Sequence, residues 1–163
     1  MNALVGENLS IVTSKAQTTR HRIMGIVNGD DFQIVFSDTP GMLKPAYKLQ
    51  EGMMGFVKSA LEDADVILFV TDIFEKEVEE ERIISKLQKT NIPILLLINK
   101  IDLAKNETKN EREKYWKHTF PNAETIFISA LTGNNVKTVF EKILKKLPES
   151  PPYFPKEGEY LTD

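Results

Sequence analysis

Apolar residues along this chain fall into runs of two kinds, and the alternation between them predicts the architecture. Residues 22–27 and 32–37 are short β-patterned runs. Asn28-Gly29-Asp30-Asp31 lies between them, a hairpin turn signal, so those two strands are expected to be antiparallel. Further along the pattern changes. Residues 66–71, 92–98 and 125–128 are nearly unbroken apolar runs, the mark of strands buried on both faces. Helical spacing appears between and around them, over residues 49–61, 77–89, 107–119 and 136–147. In the last of these Val136, Val139, Phe140, Ile143, Leu144 and Leu147 keep one face apolar. Buried strands alternating with helices imply an α/β fold in three layers, with a mostly parallel sheet and right-handed crossovers.

The ends read differently. Residues 1–7 resemble the last turns of a helix closed by Gly6, and residues 9–20 are a polar loop. After residue 147 come Pro148, Pro151, Pro152 and Pro155, which suit an extended linker over residues 148–163. The expected division is therefore a domain over 1–147 and a linker over 148–163.

Composition narrows the function. The 163 residues suffice for one domain with a sizeable core. A net charge of -3 gives no general attraction to nucleic acid or anionic membrane, so RNA binding would need a local basic patch or a further domain. There is no cysteine, which rules out disulfides and thiolate metal sites and suits a reducing cytoplasm. The longest apolar run is far too short to span a bilayer.

Three short segments follow predicted strands, where parallel α/β sheets bind ligands. Asp38-Thr39-Pro40-Gly41 follows the strand at 32–37. An aspartate there can hold Mg²⁺ through water, and the Gly41 amide can approach a terminal phosphate; the same four residues also form a good β-turn. Asn99-Lys100-Ile101-Asp102 follows the run at 92–98. The Asp102 carboxylate offers two acceptors to the N1–H and N2–H₂ donors of guanine, a pair that adenine lacks. Asn99 can bond the purine edge, and the Lys100 stem can lie along the base. Ser129-Ala130-Leu131 follows the third buried strand. A small residue there lets a backbone N–H reach the guanine carbonyl; the same stretch also reads as a helix approach through Thr132-Gly133-Asn134.

Taken in order, DTPG, NKID and SAL resemble the translation-factor-related GTPases, and most closely the Era family. Residues 14–22 (SKAQTTRHR) resemble the Era switch I segment, and Lys44-Pro45 its switch II. Pro152-Tyr153-Phe154-Pro155-Lys156, with Leu161-Thr162-Asp163, resembles the linker into the Era KH domain. The resemblance implies a P-loop GTPase-type G domain that hydrolyses GTP to GDP with Mg²⁺. It also implies a cytoplasmic protein, expected to be a monomer, that acts in small-subunit ribosome maturation through 16S rRNA, with peripheral membrane contact open. It assigns Thr19, ahead of Thr18, and Asp38 to Mg²⁺, and Thr19 and Gly41 to the catalytic switch on the γ-phosphate. Asn99, Lys100 and Asp102 are assigned to guanine, with Ser129 and Ala130 in support. Met42 stands where Ras-like enzymes carry a water-orienting glutamine.

The chain departs from that family in one respect. Family members carry G-x-x-x-x-G-K-S/T before switch I, and these 163 residues contain no such segment. The expectation is a chain that starts inside the first helix and lacks the first strand, which would lie between the strands at 32–37 and 66–71. The alternative function is then a remnant that neither binds nor hydrolyses GTP by itself.

Overall fold

The computed structural model describes residues 22–38, 58, 61–76 and 81–152. Five strands and three helices are defined among them: β1 (Arg22–Asn28), β2 (Gln33–Asp38), β3 (Ile67–Asp72), α1 (Glu81–Lys89), β4 (Ile94–Asn99), α2 (Asn106–Thr119), β5 (Glu124–Phe127) and α3 (Val136–Lys146). A single 3₁₀ turn, Ile101–Leu103, follows β4.

The hairpin forms as its turn residues require. Strands β1 and β2 are antiparallel, with Asn28 opposite Gln33, and the Gly29 N–H donates to the Phe32 carbonyl at 2.9 Å. A side chain at position 29 would put its Cβ 2.1 Å from the Phe32 ring. Glycine is needed there for that close approach. The register slips between Ile23 and Gly25, a bulge that inserts one residue into β1.

Strands β3, β4 and β5 form a parallel sheet in that order, with β4 in the centre. Ile94 through Ile98 are all buried, as the unbroken apolar run predicts. Strand periodicity sends alternate side chains to opposite faces. Ile94, Leu96 and Ile98 enter a core with Phe69, Ile83, Leu87, Trp116 and Phe120, beneath α1 and α2. Leu95 and Leu97 enter a second core with Ile34, Phe36, Ile126, Ile128, Val139 and Ile143, shared by α3 and the hairpin. Helices on both faces of the sheet give the expected three layers. Phe32 meets Phe140 edge to face at 5.7 Å, which ties the hairpin to α3.

Among the described residues no ladder joins β2 to β3, so the antiparallel pair and the parallel trio are separate sheets. Strand β3 also departs from the expectation of burial on both faces. Val70 is 60% exposed while Phe69 and Thr71 are buried. The cause is the layer above it: Val70 points to the opposite face from Phe69 and Thr71, and neither core cluster extends over it. The helix expected over 49–61 lies mostly outside the described residues, as do residues 1–21, 39–57 and 153–163.

Candidate functional site

The carboxyl ends of β3, β4 and β5 come together, and short-range forces shape each loop. Strand β4 ends at Asn99, whose carbonyl accepts the Ile73 N–H at 3.2 Å. The chain then turns sharply because Lys100 adopts the left-handed conformation, φ 65° and ψ 30°. Ile101 drops into the core at 7% exposure, and its N–H donates to the Ile128 carbonyl at 3.2 Å. This anchor fixes the 3₁₀ turn and leaves Asn99, Lys100 and Asp102 on the loop above it. The loop after β5 is closed by its own backbone. The Ser129 N–H donates to the Asn134 carbonyl at 3.1 Å, and the Gly133 N–H to the Ser129 carbonyl at 2.8 Å. Gly133, at φ 81°, takes the left-handed region without a Cβ penalty. Asn135, also left-handed, donates its side-chain amide to the Phe127 carbonyl at 2.8 Å.

Two side-chain bonds join these loops. The Ala130 N–H donates to Asn99 Oδ1 at 2.9 Å. Because a backbone N–H can only donate, this bond fixes which end of the Asn99 amide is oxygen and leaves the NH₂ as a donor. Ser129 Oγ donates to Asp102 Oδ1 at 2.8 Å and accepts the Thr132 N–H at 3.2 Å. Ser129 is 1% exposed, so its hydroxyl is committed to this task. Asp102 itself is exposed. One carboxylate oxygen is thus held from below, and the other is an acceptor available at the surface. An oriented amide donor beside an oriented carboxylate acceptor matches a purine edge that presents both acceptors and donors.

The third loop, after β3, supplies a residue that sequence reasoning missed. Asp72 Oδ2 lies 3.2 Å from Lys100 Nζ. Asp72 Oδ1 accepts the Phe74 N–H at 2.8 Å and the Glu75 N–H at 3.0 Å. Burial pushes the Asp72 carboxyl upward, but the Phe74 N–H, Lys100 and the Glu75 N–H together outweigh it and hold the group below its usual 3.8. Lys100 Nζ also lies 5.9 Å from the centre of the Phe74 ring. From below, the buried Arg112 of α2 donates its Nε–H to the Ile73 carbonyl at 2.8 Å. The missed signal is positional: Asp72 ends the parallel strand β3 and sits opposite Asn99 in the β3–β4 register.

The structure therefore brings Asn99, Lys100, Asp102, Ser129 and Ala130 together. The role expected of the third segment changes in detail. Both the Ser129 and the Ala130 N–H groups have partners within the protein, and the Ser129 hydroxyl, not only its small size, shapes the site. Asp38 ends β2, but its side chain lies outside the described residues, as do Thr18, Thr19, Gly41 and Met42. Among the described residues no group of three or more His, Cys, Asp or Glu could hold a metal ion, so Mg²⁺ coordination rests on Thr19 and Asp38 by resemblance alone. No helix among the described residues is long and apolar enough to cross a membrane.

Comparison with known proteins gives concordant results. A family profile described as "50S ribosome-binding GTPase" matches residues 1–100. The chain is 42% identical to GTPase Era of Clostridium kluyveri over 164 aligned residues, covering all of this chain and 55% of that protein. It is 40% identical to GTPase Era of Alkaliphilus metalliredigens, again over all of this chain and 55% of the relative. Its structure resembles that of a single-residue variant of Aquifex aeolicus Era bound to GDP·AlF₄⁻, with a TM-score of 0.72, 36% identity, and coverage of 94% of this chain and 54% of the other. The chain spans about half the length of the curated relatives it matches.

Proposed function

This chain belongs to the family of 50S ribosome-binding GTPases, in its Era branch, and from that premise we propose that its strand-end loops bind a guanine nucleotide. The observation that carries the reading is the pair of bonds Asn99–Ala130 and Asp102–Ser129. They support the reading because they tie the Asn99 amide and the Asp102 carboxylate to the same following loop. The free Asp102 oxygen and its held partner accept N1–H and N2–H₂ of guanine. The Asn99 NH₂ donates to the opposite part of the purine edge, and the Lys100 stem lies against the base. Adenine presents an amino donor at C6 and nothing at C2, so it leaves the carboxylate without its partners.

In the same reading the reaction is hydrolysis of GTP to GDP. Thr19 and Gly41 hold their loops on the γ-phosphate and release them afterwards, and Thr19 and Asp38 hold Mg²⁺, which stabilises phosphate charge when bound. Residues 1–147 form the G domain, and residues 148–163 lead away from it as a linker. The protein works as a cytoplasmic monomer. Its partner is the ribosome: Era kinship points to 16S rRNA and small-subunit maturation, while the family description speaks of the 50S ribosome.

Isothermal titration of the chain with GDP, and with GTP and Mg²⁺, tests the nucleotide reading. Saturable binding of both, with none of ADP, is the expected result. No heat with any guanine nucleotide up to millimolar concentration favours instead the reading in which these 163 residues do not bind GTP by themselves.

A further inference from the structure

The Asp72 carboxylate performs two tasks with two oxygens. Oδ1 closes the turn after β3 by accepting two successive backbone N–H groups. Oδ2 faces the Lys100 ammonium at 3.2 Å. The backbone brings the two together. Asp72 and Asn99 are opposite each other in the parallel ladder, and Lys100 follows Asn99 in a left-handed turn. The turn itself is braced on its other side, where Arg112 donates to the Ile73 carbonyl and the Ile73 N–H bonds the Asn99 carbonyl.

We propose that Asp72 is a positioning residue of the base site: it holds the Lys100 ammonium at the end of β3, so that the lysine's aliphatic stem forms a fixed wall for the face of the purine. A lysine side chain is long and flexible and loses considerable rotamer freedom when it is ordered. Ordering it before the nucleotide arrives removes that cost from binding. The wall presses on the ring face and reads none of its edge groups. Asp72 therefore affects purine affinity without affecting the choice between guanine and adenine, which is the work of Asp102. The inference rests on the nucleotide reading above for its consequence, but the ordering of Lys100 by Asp72 is a property of the free chain.

The test uses Asp72→Asn, which keeps an acceptor for the turn and removes the charge. In the free chain, ¹³C relaxation of the Lys100 side chain reads its order directly. An ordered Lys100 in the wild type that becomes mobile in Asp72→Asn supports the proposal; equal mobility in the two overturns it, whether or not any nucleotide binds. With GDP, GMP and guanosine, Asp72→Asn is expected to weaken affinity by a common factor of about five. ADP binding remains undetected, as in the wild type; a gain of ADP binding overturns the proposal. In a Lys100→Met background, where no ammonium remains to be held, Asp72→Asn has no further effect. An undiminished effect in that background, or a loss of affinity that tracks a fall in Tm, overturns the proposal. Failure of the wild type to bind GDP, with Lys100 still ordered by Asp72, sinks the nucleotide reading and leaves the positioning intact.

Discussion

Ser129 Oγ donates a hydrogen bond to Asp102 Oδ1 at 2.8 Å, across 27 residues of sequence. The serine is buried and the aspartate is at the surface. A hidden hydroxyl thus sets the direction of an exposed carboxylate and ties together two loops that leave different strands.

Removing that hydroxyl separates orientation from charge. Ser129→Ala leaves Asp102 ionised but unsupported and takes the side-chain acceptor from the Thr132 N–H. A lost hydrogen bond to a partly exposed charged group costs about 1 kcal/mol. Urea denaturation should show a stability loss of about that size, and GDP affinity should fall by about fivefold to tenfold.

Asp102→Asn changes the pattern that the edge of the base must present. An amide keeps one acceptor for N1–H but turns its other half into a donor, which opposes the guanine N2–H₂ and matches the C2 carbonyl of xanthine. Competition binding should show GDP weakened by about a hundredfold or more and XDP strengthened relative to it. Equal losses for both nucleotides contradict the assignment of Asp102 to the base.

The core beneath α2 depends on the chain's one tryptophan. Trp116 is fully buried and lies 5.3 Å from Phe69 and 5.9 Å from Phe120, ring centre to ring centre. Trp116→Ala should cost about 3–5 kcal/mol by equilibrium unfolding. Trp116→Phe should cost less than about 2 kcal/mol, because Nε1 has no hydrogen-bond partner among the described residues and its loss breaks no bond.

Glu124 of β5 pairs with Lys142 and Lys146 of α3. The hydrogen bond from Lys142 holds its carboxyl below the usual 4.5, against a smaller upward push from burial. A carboxyl whose pKa is lowered on folding stabilises the fold above its unfolded pKa, and the benefit is lost as pH falls through the folded value. The three side chains are partly exposed, so solvent screens them. Glu124→Gln should therefore cost only about 0.3–1 kcal/mol at pH 7. Denaturation at about pH 3, below the unfolded pKa, should show the difference shrinking toward zero, and added salt should shrink it at pH 7.

Most of the fold is legible in the sequence because burial dictates it. The run Ile94–Ile98 suits a strand covered on both faces, and β4 is that strand, with one core on each side of the sheet. Val70 shows where the same inference fails. Its run is nearly as apolar as that of β4, but an apolar pattern does not say how far the layer over each face extends. In the site, Asn99 and Asp102 stand out because polar residues directly after a buried strand have few structural reasons to be there. Asp72 satisfies the same rule, ending β3 as Asn99 ends β4, but its link to Lys100 emerges only from the ladder register. The Ser129 hydroxyl escapes notice for a different reason: a serine between strand and turn looks like spacing until its partner, far off in sequence, is placed beside it.

Joint recognition of guanine by the loops after β4 and β5 underlies every functional statement above. Amide ¹H–¹⁵N spectra of the chain, titrated in parallel with GDP and ADP, read that recognition residue by residue. Saturable shifts at Asn99, Asp102, Ser129 and Ala130 are expected with GDP, and no such shifts with ADP. Identical responses to the two nucleotides, or shifts with GDP that avoid these four residues, contradict it.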